Sequence, residues 1–217
     1  MAERAEAVHG RIALSIDWEK GPIRSDLKNE GIYCVIRGWV GEGLVAEGMI
    51  HLPCETWSPA RHGLPGGTAP EALRNRKEGI WGLPGLKPSD QVKVEEGNAI
   101  TRALFKYLDL FQKNSLPIGL ENGDMSMLWF SPELVTNPGR VLKVCYCMMG
   151  KPFRKRTRLM LWGVKSEEVF AEEEENCRQY LCNSLGGVCR RTGQSHVVLR
   201  GWNRGKALTL MGNAYPR

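Results

Sequence analysis

The sequence predicts an α/β fold. Three observations predict it: apolar runs of strand length recur along the chain, one long amphipathic helix sits near its middle, and acidic, cysteine or basic residues fall where the apolar runs end. The 217 residues, 42% hydrophobic and 25% charged, suffice for one sizeable core with a small appended module. That balance argues against a mostly disordered chain. No apolar run approaches the roughly 20 residues that span a bilayer, so no membrane role is expected. Charges at Glu3, Arg4 and Glu6 stand where a secretory signal needs an apolar stretch. An intracellular location is expected, nuclear in a eukaryote.

Taken in order, Glu3 to Val8 reads as a short helix stopped at Gly10. Ile12 to Ile16 reads as a buried strand ending in Asp17, either a ribose-holding carboxylate of the kind found at early strand ends or a solvated turn residue. Cys34 to Val40 and Met49 to Leu52 are further apolar stretches, the second running into Pro53-Cys54. Residues 58–88, rich in Gly, Pro, Arg and His, carry no helical or strand period and are expected to form a long loop, a functional lid or a flexible segment. The clearest helix starts near Ser89-Asp90, places Val94, Ile100, Leu104, Leu108 and Phe111 roughly on one face, and ends before Pro117.

Beyond it, Ile118 to Leu120 is a short strand delivering Glu121 and Asn122. Arg140 to Met149 is a strand candidate, followed by the basic cluster Arg154 to Arg158 and a further apolar strand, Leu159 to Val164. An acidic run, Glu172 to Glu175, reads as solvated surface. The domain plan is a catalytic domain over 1–165, a small insert over 166–200 and a C-terminal segment, 201–217, that returns to the catalytic domain.

A net charge of +6 tilts the chain toward an acidic partner such as nucleic acid. Its 7 cysteines, an odd number, exclude a fully paired disulfide framework and read as reduced thiols. Cys54, after a strand and before a loop, is placed either as an exposed nucleophile or as a packing residue. Glu121 is either a proton donor or a helix-start carboxylate. The arginine cluster either grips phosphates or forms a basic surface turn.

Four motifs then fall in order. Pro53-Cys54-Glu55-Thr56-Trp57-Ser58 resembles the Pro-Cys-x-x-Phe-Ser motif of DNA cytosine-5 methyltransferases, and Leu120-Glu121-Asn122 resembles their Glu-Asn-Val motif. Arg154-Lys155-Arg156-Thr157-Arg158 resembles Gln-x-Arg-x-Arg, and Gly212-Asn213-Ala214-Tyr215-Pro216 resembles the C-terminal Gly-Asn-x-x-Pro element. The resemblance covers nearly the whole chain. It implies a Rossmann-like methyltransferase sheet with a small Cys/His-containing recognition insert.

It also implies roles. Cys54 would add to the ring carbon beside the target carbon, Glu121 would share a proton with ring nitrogen 3, and Arg156 and Arg158 would hold the base and its developing charge. S-adenosylmethionine would be the methyl donor, with Asp17, Asp26, Pro53 and Asn213 near it. DNA or RNA is the expected partner, with the base flipped out of a duplex and Arg61, Arg74, Arg76 and Arg154 on its backbone. His62 belongs to the same loop.

The family opens with a strand and a Gly-rich Phe-x-Gly-x-Gly loop around the cofactor, and no such motif precedes Asp17. Three alternatives follow: a piece of a longer protein, an inactive homologue that binds nucleic acid, or a chain whose missing wall comes from a partner chain. Arg154 in place of the glutamine and Gly123 in place of the valine are smaller departures.

Cys177, Cys182, Cys189 and His196 offer three thiolates and an imidazole, a complete tetrahedral zinc set in the expected recognition region. Such a metal would hold together a segment with little core of its own. Cys145 and Cys147, within the strand predicted for 140–149, are assigned to the core.

Overall fold

A computed structural model describes residues 6–8, 11–13, 26–58, 71–163, 180–182, 187–197, 202–203 and 206–207. Asp17, Arg61, His62, Cys177, Asn213 and the acidic run 172–175 lie outside the described residues.

The centre is an open four-stranded mixed sheet in the order β3-β4-β6-β5, built from β3 (Gly48–His51), β4 (Ile118–Gly123), β5 (Arg140–Cys145) and β6 (Arg156–Trp162). β3 and β4 run parallel, with His51 opposite Glu121, and β6 runs antiparallel to both β4 and β5. The mixed α/β content agrees with the expected class.

Parallel neighbours need a crossover, and the connection from β3 to β4 carries α2 (Pro88–Lys113). Proline near its start suits a position whose N–H has no helical partner. The expected apolar face is real: Val94, Leu104, Leu108 and Phe111 are buried. Leu104, Leu108 and Phe111 join Ile36 and Val40 of α1 (Glu30–Gly41), Ile118 and Leu120 of β4, and Met160 and Trp162 of β6 in the main core. The apolar stretch from Cys34 to Val40 therefore lies within a helix that buries Ile36 and Val40 and leaves Val35 exposed. Asn29 caps it by accepting the Gly31 N–H at 2.8 Å.

Three expectations change. The predicted helix from Glu3 to Val8 is replaced by a strand, β1 (Glu6–Val8), paired antiparallel with β2 (Arg11–Ala13), Glu6 opposite Ala13. A helix of so few residues fixes many dihedrals for few hydrogen bonds, and cross-strand pairing competes easily. The predicted strand 140–149 ends at Cys145, opposite Arg156 where β6 begins, and one further backbone bond, from the Tyr146 N–H to the Lys155 carbonyl at 3.0 Å, closes the ladder before the chain turns. Residues Tyr146–Met149 wind into a 3-10 turn that closes on Gly150. Finally, the described part of the predicted loop 58–88 has no helix or strand before Pro88, as expected, but is anchored by Leu73 and Arg74, both 1% exposed.

A short helix α3 (Pro132–Thr136) follows the 3-10 turn Met127–Phe130, and β7 (Trp202–Asn203) pairs antiparallel with β8 (Lys206–Ala207). Among the described residues no helix is long and apolar enough to cross a membrane.

Candidate active site and metal centre

In open α/β sheets, ligand-handling groups gather where parallel strands end. β3 and β4 end together, and each delivers a candidate residue. The chain leaves β3 at His51 and reaches Pro53, exposed, and Cys54, a free and half-buried thiol. β4 delivers Glu121, 4% exposed, and Asn122, 1% exposed. Asn122 joins the two: its Nδ2 donates to the carbonyl of Leu52 at 3.1 Å. The amide thus pins the backbone just ahead of Pro53-Cys54 to the neighbouring strand.

The turn after Cys54 is fixed from below. The Trp57 N–H donates to the Cys54 carbonyl at 3.1 Å, and the Met127 N–H donates to the Trp57 carbonyl at 2.8 Å. Arg74 supports the turn from inside. Its guanidinium donates to Thr56 O, Thr56 Oγ1, Ile80 O, Asn98 Oδ1 and Val94 O, and lies 3.6 Å from the Trp57 ring centroid. Burial lowers its pKa from 12.5 to about 10. Gly97 admits this contact: a Cβ there would stand 2.6 Å from Thr56 Oγ1 and 3.2 Å from Arg74 Nη2. Arg74, expected on a nucleic-acid backbone, is thereby corrected to an internal strut, since a buried guanidinium with its donors occupied presents none to a phosphate.

Glu121 is ringed by groups of other elements. His51 Nδ1 stands 3.4 Å from Oε2, and the Tyr146 hydroxyl and Lys155 Nζ stand 3.5 and 3.8 Å from Oε1. Lys155 also lies 4.8 Å from the centroid of the Tyr146 ring. The Tyr146 phenol is pushed well above its ordinary 10.0, first by burial and then by the neighbouring charge of Glu121, with Cys54 contributing in the same direction. It therefore stays a hydroxyl, in electrostatic reach of both the carboxylate and the thiol.

The arginines sort differently from expectation. Arg156 and Arg158 share one face of β6, and Lys143 lies directly opposite Arg158 on β5. Like charges so placed repel, and Asp124, 5% exposed, answers them all. Lys143 Nζ and Arg158 Nη2 each stand 3.2 Å from Oδ1, and Arg156 Nη2 stands 3.5 Å from Oδ2. Arg156 and Arg158, expected beside the base with Glu121, are thus held by Asp124, and Lys155 is the cation that faces Glu121. Arg154 immediately precedes it, half-buried. Arg76 is exposed with its guanidinium 4.3 Å from the Phe130 ring centroid. Asp26, expected near a cofactor, accepts the Lys28 N–H at 2.9 Å at the start of α1.

Of the expected Cys/His set, Cys182, Cys189 and His196 lie together, and Cys177 lies outside the described residues. Cys147, Cys182, Cys189 and His196 bring one ligand atom each to within 4.8 Å of one another and could hold a metal ion. Cys147, assigned to the core from sequence, is buried as expected and is also a member of this cluster. Residues two apart on a strand share a face, so spacing gave no ground to set it aside. The 3-10 turn at Tyr146–Met149 is what carries its sulfur to the others. Cys182 Sγ lies 3.6 Å from His196 Nε2 and accepts the Arg190 N–H at 3.4 Å.

Burial and the neighbouring Cys182 and Cys189 push the Cys147 thiol up to about 12. At Cys189 burial acts upward, but hydrogen bonds from the backbone of Thr192 and Arg191, the Thr192 hydroxyl and His196 bring it down to about 6. The site favours a thiolate at one ligand and crowds the next, which a cation relieves.

Sequence reading missed His51, Tyr146, Lys155 and Asp124. His51 had a signal, a titratable residue at the end of the strand that leads to Pro53-Cys54. The others depend on strand register. The chain matches no family model, no curated protein and no solved structure.

Proposed function

We propose that the chain is a DNA cytosine-5 methyltransferase-like protein, with Cys54 as nucleophile and Glu121 as the proton partner of the base. One observation carries the reading: the register that sets His51 against Glu121 brings the Pro53-Cys54 turn and the Glu121 carboxylate to one sheet edge, both in reach of Tyr146. In the proposed reaction the Cys54 thiolate bonds to ring carbon 6 as the 5,6 double bond opens and its electron pair moves to carbon 5, which would take the methyl group; loss of the carbon-5 proton would then expel the thiolate and restore the double bond. Glu121 holds the proton shared with nitrogen 3 as the ring gains charge. Tyr146 and Lys155 hold that carboxylate in place, and Asn122 holds the backbone before Cys54.

S-adenosylmethionine would supply the methyl group. Of the positions expected around it, Asp17 and Asn213 lie outside the described residues and Asp26 is engaged with Lys28. The described residues therefore complete no pocket for that cofactor. The Cys/His cluster suits zinc best, since three soft sulfurs and one imidazole form a closed tetrahedral set of structural type.

The test uses the full chain, S-adenosylmethionine and a duplex carrying 5-fluorocytosine. Fluorine cannot leave carbon 5 as a proton does, so a methylated adduct stays bonded to Cys54. A stable protein–DNA adduct that Cys54→Ala abolishes is expected. Methylated cytosine formed by Cys54→Ala would remove the reading. DNA binding without cofactor binding would instead favour an inactive, nucleic-acid-binding homologue.

A further inference from the structure

We infer that the metal centre is a cross-link: one zinc ion, held by Cys147, Cys182, Cys189 and His196, fastens the Cys/His segment to the sheet beside Glu121. This rests on the zinc reading of the cluster and is independent of the reaction assigned to Cys54.

The donors come from two places in the fold. Cys147 sits two residues past β5, whereas Cys182, Cys189 and His196 belong to the segment after the sheet is complete. In that segment a tight hairpin presents two of them. Val188 bridges Ser195, the Cys189 N–H donates to the Gln194 carbonyl at 2.7 Å, and the His196 N–H donates to the Gly187 carbonyl at 2.8 Å. Gly193 turns the hairpin at φ 68°, a conformation that favours glycine. The separation of Cys182 Sγ from His196 Nε2, 3.6 Å, matches the edge of about 3.6 Å that zinc's sulfur and nitrogen bond lengths give a tetrahedron. All four donors are protein atoms, so no coordination position is left for substrate.

The packing explains why a metal belongs there. Around this site the buried cluster consists of Cys145, Cys147, Cys182 and Cys189, with Met148 and Leu181 against it. Among the described residues, large apolar side chains, which hold the main core, are nearly absent from it. A core this small contributes little by burial, and metal binding supplies the missing folding free energy.

Backbone contacts run beside the proposed link. The Cys145 N–H donates to the Tyr180 carbonyl at 2.8 Å, the Val197 N–H donates to the Pro152 carbonyl at 2.8 Å, and Arg191 Nη1 donates to the Met148 carbonyl at 3.1 Å. Tyr146, one residue before the ligand Cys147, carries the hydroxyl that faces Glu121. The cross-link therefore anchors the turn that supplies one wall of the Glu121 site.

The test measures metal content by plasma mass spectrometry in the full chain and in Cys147→Ser, Cys177→Ser and Cys34→Ser. About one zinc per chain is expected in the parent, in Cys177→Ser and in Cys34→Ser, and less than about a tenth of that in Cys147→Ser. Hydrogen exchange of the parent, with and without a zinc chelator, keeps the idea testable if Cys147→Ser does not fold. Chelation should speed exchange at 145–155 and 180–197 and leave α2 unchanged. A parent without metal, a Cys147→Ser protein with its zinc intact, loss of zinc in Cys177→Ser, or unchanged exchange at 145–155 would each overturn it.

Discussion

His51 and Glu121 are register partners across the parallel β3–β4 pair, and their side chains meet, Nδ1 to Oε2, at 3.4 Å. The imidazole is 40% exposed and the carboxylate 5% exposed. His51 therefore connects a buried carboxylate to the solvent side of the sheet edge.

Replacing Glu121 by Gln keeps the shape and removes the exchangeable carboxyl proton. Adduct formation on a fluorocytosine duplex should slow by roughly 10²–10⁴-fold, the usual contribution of a positioned acid or base. His51→Ala should slow it less, because Tyr146 and Lys155 still face the carboxylate. Single-turnover rates with DNA affinity measured separately check both. A Glu121→Gln protein as fast as the parent would count against the assigned role.

Arg74 is expected to matter through folding. Arg74→Met removes the charge but strands the carbonyls of Thr56, Ile80 and Val94 and the Asn98 side chain. A loss of about 3–5 kcal/mol is expected, as for other broken buried charge networks, read from chemical unfolding. Arg74→Lys should recover only part of it, since an ammonium lacks the planar fan of donors. Neither change should alter the salt dependence of DNA binding, which reports phosphate contacts.

Acid should release the metal. Cys189 is lowered from 9.0 to about 6, so between those values the unfolded chain binds more protons than the folded one. The stability from this thiolate is complete above 9.0 and is lost as pH falls through about 6. Cys147, pushed up to about 12, has the opposite sign in the metal-free chain and must give up its proton to bind. Zinc content after dialysis should hold at about pH 8 and fall as acid protonates the ligand thiolates. Zinc retained unchanged at about pH 2 would contradict thiolate ligation.

How much was legible in the sequence follows from the range of the forces involved. The face of α2 and the strand read over Ile118 to Leu120 rest on local periodicity, and both are present, the strand running on through Glu121 to Gly123. The order of Cys54, Glu121 and the basic cluster was legible as motif, but their partners were not. Arg156 and Arg158 meet Asp124, and Lys155 faces Glu121, because β6 pairs with β4 in one register and side chains alternate across it.

The sequence by itself determined the long helix α2, where a thiol and a carboxylate follow their strands, and that cysteines and a histidine recur near the end of the chain. Only the tertiary structure decided which further cysteine joins the candidate metal ligands and which arginine is enclosed. The strand reading of 140–149 failed where the chain turns after Cys145, and that turn brings Cys147 to Cys182, Cys189 and His196. Arg74 looks like any loop arginine until α2 closes over it at Gly97. Both outcomes come from contacts between residues far apart in the chain, which propensity and spacing do not encode.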